Sequence, residues 1–390
     1  MLNVVQATSL LYFKSQKVKD IPVSSGENTI LSLADEIKEQ GLTSVFIASS
    51  KTVNNKGMLE EFCWKLEEYG VSYVIFTDIV ADPTVENVEE GVKVLNENEC
   101  DCIVAVGGGS VMDCAKIISL RATNPMKSVE KMAFYLTKCQ QGLPMYMVPT
   151  TSGTGSEITY FSVITDTKKQ KKLAIISDSC LPERIIMDFQ LLRHVPRNAT
   201  IYAGLDALTH SVEAFISDFH SAFLEDVKTA PTICRIIFEN LPKVAENPDD
   251  KAARMKMAAA AYEAGINFRR TSVGYVHAIA HRLGETYHIP HGLACAVVMP
   301  EVLTLSYRGN GKKRLDQLAK ESGLAKDGLD FVEKIREFTH SLGIESGFEQ
   351  IKTEDYPMII KRARAEAALQ GCPVMFSKKE VEAILNQLRL

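Results

Sequence analysis

Residues 101–116 read DCIVAVGGGSVMDCAK, and this stretch decides the fold. An apolar run rich in β-branched residues ends in Gly107, Gly108 and Gly109. Ser110 and a helical pattern follow at once. A strand that turns through glycines into a helix is the repeating joint of an α/β domain. Glycine lets the backbone approach a ligand closely, and the start of a helix offers free N–H groups and a positive dipole. That combination suits a pyrophosphate, and it equally suits a plain tight turn. The stretch is neither GxGxxG nor GxxxxGK[ST], so neither standard phosphate fingerprint applies. Asp113 lies one turn into the helix. Its spacing fits a ligand role and a helix-stabilising role equally well.

The same alternation extends to both sides. TSVFIAS, VSYVIFTDI and PMYMVPT read as strands. MLEEFCWKLEEYG, ending at Gly70, and TVENVEEGVKVLNENE, behind Pro83, read as helices. Strand and helix in turn predict crossover units and a parallel sheet covered on both faces. Beyond about residue 190 the β signal disappears. LDALTHSVEAFIS, AARMKMAAAAYEAGINF, GYVHAIAHRLGETY, KKRLDQLAKESG and LDFVEKIREFTHSLG all carry helical spacing, and Pro182 and Pro196 punctuate the junction. The expected organisation is an α/β dinucleotide-binding domain over residues 1–190 and an all-helical domain over 191–390.

Composition narrows the function. The 390 residues carry a net charge of −5, which argues against a nucleic-acid partner. The one basic run, TDTKKQKKLA, lies between two strand-like runs and reads as a solvated hairpin turn. No stretch is apolar enough for a membrane span, and the first residues lack a signal-peptide pattern. Nine scattered cysteines without a CxxC pair read as reduced thiols in a cytoplasmic protein, not as a disulfide framework or a zinc-thiolate site.

Two further stretches carry chemistry. VPTTSGTGSE, 148–157, places hydroxyls and free backbone groups directly after a strand, at the end of the sheet where α/β ligands sit. An ordinary polar loop would look the same. The other is a histidine constellation. GYVHAIAHRLGETYHIPHG, 274–292, holds His277, His281, His288 and His291, four of the eight histidines. Upstream, Asp206 and His210 in GLDALTHSVEAF are four apart and share a helix face, as do His277 and His281. Histidine and aspartate together suit a borderline divalent metal such as iron(II), zinc, manganese or cobalt. Local spacing leaves open which four residues bind.

In this order, GGGSVMDCAK, PTTSGTGSE, GLDALTHSVEAF and GYVHAIAHRLGETYHIPHG closely resemble the iron-containing (group III) alcohol dehydrogenase family. The likeness runs from about residue 30 to the C-terminus and includes ADPTVENVEEG. It implies a dehydroquinate synthase-like α/β domain followed by an all-α metal-binding domain. It implies that Asp206, His210, His277 and His291 bind Fe2+, or Zn2+ in its place, and that His281 serves as a proton-relay group. His288 matches no ligand position. Gly107, Gly108, Gly109 and Ser110 would hold the pyrophosphate of NAD or NADP. Thr150 and Thr151 would lie along the nucleotide, with Asp113 near the nicotinamide end. The partners implied are a small alcohol or aldehyde and further copies of the chain, as a homodimer or larger homo-oligomer. Glycerol dehydrogenase-like and dehydroquinate synthase-like zinc enzymes share the fold, but DALTHSVEAF together with VHAIAH favours the alcohol dehydrogenase branch. A purely nucleotide-sensing or structural role would be expected to show a broken ligand set.

Two departures from the family pattern bear on specificity. Many members end the second strand in an aspartate that bonds the adenine-ribose hydroxyl and repels a 2′-phosphate. Here Ser49 or Ser50 stands in that place, beside Lys51, so NADP is expected to compete with NAD. In NFRRTSVG, Arg269 and Arg270 replace small or amide residues. Either one facing the pocket would favour an anionic or polar aldehyde. Solvation, or pairing with local acids, is the simpler expectation.

Overall fold

The computed structural model describes residues 4–15, 19–133, 139–169 and 171–390. Among these, eight strands follow in chain order: β1 (Val23–Gly26), β2 (Ser44–Ser49), β3 (Ser72–Phe76), β4 (Cys102–Gly107), β5 (Met145–Pro149), β6 (Phe161–Asp166), β7 (Lys171–Ile176) and β8 (Arg184–Asp188). Six of them form one sheet in the order β1-β8-β5-β4-β2-β3. Every neighbouring pair in it is parallel. Every residue of β2, β4 and β5 is buried, as required of strands covered by helices on both faces. The register sets Ser49 opposite Val106 and Gly107 opposite Pro149, so β2, β4 and β5 end together. β6 and β7 pair antiparallel as a separate hairpin. The basic run falls at its turn, where Lys169 meets Asp166 and Lys172 meets Asp82. Gln170 of that turn lies outside the described residues.

Local chemistry sets the helix boundaries. Thr84 and Asn87 form a reciprocal capping box that starts the helix Val85–Glu97. Gly70 adopts the left-handed conformation (φ 69°) just beyond the helix Glu60–Glu68. β1 and β8 are two strands that the apolar-run reading does not contain. β1 has only four residues with alternating exposure, and β8 is a short run directly after Pro182.

Two compact units result, one of residues 17–195 and one of residues 196–390 joined by the helix Val4–Ser15. A division at residue 190 would group that N-terminal helix with the sheet. It belongs instead to the helical unit, where the Phe13 and Phe219 rings meet at 6.4 Å. The helical unit is built around the helix Arg197–Ile216. This helix is buried without a break from Gly204 to Ile216 and is flanked by the helices Ala230–Glu246, Lys251–Thr271 and His291–Ser306. A helix buried on all sides should be apolar. Asp206, His210 and Glu213 break that rule, and a buried polar group costs stability unless it is partnered.

Candidate metal centre and nucleotide loops

Asp206, His210 and Glu213 lie four and three residues apart, so one face of the central helix presents all three. Two other helices bring histidines to that face. The helix Tyr275–Tyr287 carries His277 and His281, and the helix His291–Ser306 starts at His291. Gly292 makes the second approach possible. A Cβ there would collide with the Tyr202 carbonyl, so only glycine lets the two helix backbones come this close.

The donor atoms converge. Asp206 Oδ1 lies 3.4 Å from His277 Nε2, 3.4 Å from His291 Nε2 and 3.9 Å from His210 Nε2. The His210 and His277 rings stack at 4.6 Å, and Phe268 covers the other face of His210 at 4.1 Å. Asp206 Oδ1 and His277 Nε2 are both buried and have no hydrogen-bond partner among the described residues. Polar atoms orphaned and aimed at one point are what a bound cation would satisfy. The most compact donor group is Asp206, His277, His291 and Cys295, whose ligand atoms all lie within 4.8 Å of one another. His210 stands just outside that group, and Cys295 stands inside it.

Glu213 is the residue that motif reading passes over. Its Oε2 accepts the Gly274 N–H at 2.8 Å and pairs with His277 Nδ1 at 2.6 Å, while Oε1 accepts the Val276 N–H at 2.8 Å. One carboxylate therefore caps the His277 helix and fixes the His277 ring, leaving Nε2 directed at Asp206. Burial opposes charge on His277, but the neighbouring carboxylates of Asp206 and Glu213 outweigh it and raise the imidazole to about 9. Burial likewise opposes charge on Asp206. The neighbouring His210 and His291 outweigh it and hold the carboxyl well below its ordinary range.

His281 sits beside this cluster, its ring 5.2 Å from that of His291 and its Nδ1 3.8 Å from Glu366. His288 ends the helix in the left-handed conformation (φ 55°), a C-cap role away from the donor atoms. Arg269 and Arg270 both pair with Asp226, at 3.3 and 2.5 Å. Arg270 also lies over the Phe223 ring at 4.6 Å. Both side chains are held by the one carboxylate, so neither extends free as an anion receptor.

In the α/β unit, β4 ends at Gly107 and the helix Gly109–Thr123 begins without a side-chain cap at Gly108. Its first N–H groups lack the usual Ser, Thr or Asp partner. The 148–157 loop lies against this turn. Thr150 N donates to Gly107 O at 2.9 Å, and Cβ atoms added at Gly108 and Gly109 would meet Thr151 and Thr154 at 3.3 and 2.8 Å. The two polar stretches thus form one platform at the ends of β4 and β5. Ser110 Oγ donates to the Ala81 carbonyl.

Asp113 is committed to holding that platform. Its Oδ1 accepts the Ser156 hydroxyl at 2.6 Å, and its Oδ2 accepts the Val163 N–H at 2.9 Å. Lys116, fully buried, donates to Ser156 Oγ, Thr159 Oγ1 and the Phe161 carbonyl. At the end of β2 the two serines differ. Ser49 is buried and donates inward to Val106 O at 2.9 Å, whereas Ser50 caps a short helix by accepting from Val53 N at 3.2 Å. Lys51 reaches Asp78 at 2.9 Å in an exposed pair. Only Ser50 of the two serines is open to a ribose.

Comparison with known proteins agrees with this geometry. The family model "Iron-containing alcohol dehydrogenase" matches residues 22–189, and the family's C-terminal model matches residues 200–388. Alcohol dehydrogenase 4 of Saccharomyces cerevisiae is 32% identical over 93% of this chain and 95% of its own length. The NAD-dependent methanol dehydrogenase of Bacillus methanolicus is 30% identical over 94% and 98%. The crystal structure of sulfoacetaldehyde reductase from Bifidobacterium kashiwanohense in complex with NAD+ superimposes with a TM-score of 0.87 at 25% identity, covering 96% of this chain and 98% of that one. Among the described residues no helix is long and apolar enough to cross a membrane. The chain belongs to the iron-containing alcohol dehydrogenase family and is an oxidoreductase of alcohols and aldehydes.

Proposed function

We propose that the chain interconverts a primary alcohol and its aldehyde in a metal-dependent, nicotinamide-linked reaction, with Asp206, His210, His277 and His291 as metal ligands. The observation that carries this reading is the meeting of Asp206 Oδ1 with His277 Nε2 and His291 Nε2, 3.4 Å from each, with two of the three atoms buried and unbonded. A carboxylate with imidazoles fits iron(II), the metal in the family's description, and fits zinc as well. A divalent ion held there supplies a Lewis acid for the substrate oxygen, and NAD or NADP supplies or accepts the hydride.

The remaining work belongs to the chain. Glu213 sets the His277 tautomer so that Nε2 is the donor. His281 carries the hydroxyl proton. Its Nδ1 lies 3.8 Å from Glu366, and an imidazole beside the metal cluster is suited to pass that proton on. The Gly107–Ser110 turn binds the pyrophosphate, Thr150 and Thr151 line the nucleotide, and Asp113 keeps their loop in place. Ser50 meets the adenine ribose without a carboxylate's charge, so NADP is accepted alongside NAD. The reading includes the cytoplasm as compartment, supported by nine free cysteines, and a homodimer or larger homo-oligomer as the assembly.

The test is NADH and NADPH oxidation over a panel of neutral and anionic aldehydes, sulfoacetaldehyde included, before and after chelator treatment and readdition of iron(II) or zinc. Turnover should vanish with chelator and return with metal. The kcat/KM for NADPH should fall within about tenfold of that for NADH, a gap under ~1.4 kcal/mol. Because Asp226 already engages both Arg269 and Arg270, neutral aldehydes should be the better substrates. Turnover indifferent to the chelator would overturn the reading.

A further inference from the structure

Cys295 lies one helical turn beyond His291, on the same face of the helix His291–Ser306. The side chain is buried, and its Sγ lies 3.7 Å from His291 Nε2. Buried cysteines elsewhere in the chain, such as Cys102 in β4 and Cys234 in the helix Ala230–Glu246, belong to apolar core clusters. There a thiol acts as a small hydrophobe. Cys295 belongs to the same apolar cluster as Cys234, but it alone of the three also lies in a donor group, its sulfur and the donor atoms of Asp206, His277 and His291 all within 4.8 Å of one another. The side chains of Asp206 and His277 are 4% and 3% exposed, and each keeps a buried polar atom with no hydrogen-bond partner among the described residues. Those orphaned atoms mark the point as a ligand position independently of the sulfur.

We propose that Cys295 is itself a metal ligand, a sulfur donor added to Asp206, His210, His277 and His291. The proposal rests on the metal-binding reading of this site. As the sulfur lone pair binds a dication, the thiol proton passes to solvent, and no oxidation or reduction is involved. His210, outside the compact group, is then the most distant donor, held in a stack between His277 and Phe268. Two consequences follow for this chain. A thiolate is a soft ligand, so the set leans toward zinc and cobalt(II) more than a carboxylate with three imidazoles would. A second anionic donor also cancels the remaining positive charge of the dication.

Cobalt(II) is the probe that reads the bond directly. A cobalt–thiolate bond gives a sulfur-to-metal charge-transfer band in the near ultraviolet, and imidazole and carboxylate donors do not. Chelator-treated protein titrated with cobalt(II) should gain this band together with visible d–d absorption. Cys295→Ala should keep the visible absorption and lose the near-ultraviolet band. Cys295→Ser, which nearly preserves volume, should do the same and serves if the alanine variant folds poorly. Cys234→Ala should keep both features. Cobalt bound to the wild type without the band, or a band that survives in Cys295→Ser, overturns the assignment of Cys295 and leaves the metal-site reading intact. A wild type that binds no cobalt overturns both.

Discussion

Glu213→Gln is expected to lower metal affinity by about 10- to 100-fold, although Glu213 is not assigned as a ligand. The carboxylate satisfies three donors at once: the Gly274 and Val276 N–H groups and His277 Nδ1. An amide has one acceptor oxygen and one donor nitrogen. Placing the oxygen toward Gly274 and His277 sets the NH2 group against the Val276 N–H. The reverse placement sets it against His277 and so frees the ring to rotate. Either way a buried donor loses its partner, at a cost of about 1–3 kcal/mol. The favourable interaction of a negative group with a helix N-terminus is lost as well. Competition with a chromogenic chelator measures the affinity, and a melting curve measures the stability. Unchanged affinity would reduce Glu213 to a helix cap.

His277→Ala and His281→Ala should separate cleanly, although the two residues stand one turn apart on the same helix. His277→Ala removes a donor whose Nε2 faces Asp206. It leaves Glu213 and Asp206 as buried acids without their shared partner, so metal content and activity should be lost together. His281→Ala should retain metal, because the His281 ring lies to the side of the donor group and is turned toward Glu366. Its turnover should fall by about 10²–10⁴-fold, the range for loss of a general acid–base group. Elemental analysis of the purified variants alongside steady-state rates decides the matter. Loss of metal from His281→Ala would make it a ligand and return the proton relay to another group.

Much of this was legible in the sequence, for physical reasons that also mark where legibility stops. β2, β4 and β5 are buried on both faces, so each is written as an apolar run that ends in turn residues. β1 has four residues and alternates in exposure, and β8 is bounded by charged Arg184 and Asp188, so no such run announces them. Asp206 and His277 stood out because Asp and His at helical spacing are chemically conspicuous. Glu213 shares their face but looks like any helix acid. Its role depends on Gly274 and Val276, more than sixty positions away. Its offset of three from His210 and seven from Asp206 was the available signal. Cys295 was hidden in the same way, as one small residue in GLACAVV, with only its i, i+4 relation to His291 to distinguish it. Ser49 and Ser50 are adjacent in sequence, but Ser49 is the last residue of the fully buried β2, whereas Ser50 lies beyond it as the cap of the next helix. Arg269 and Arg270 read as departures from a family pattern, and Asp226, forty-three and forty-four positions upstream, binds both. Pairwise partners at such separations are set by packing, which periodicity does not encode.

The most direct test of the account is the location of the metal. Crystals of protein loaded with zinc or cobalt(II) and NAD+, measured at the metal's absorption edge, should show one strong anomalous peak within bonding distance, about 2.0–2.3 Å, of Asp206, His210, His277 and His291. A metal peak elsewhere in the chain, with Asp206 and His277 still facing each other across an unfilled point, would contradict it.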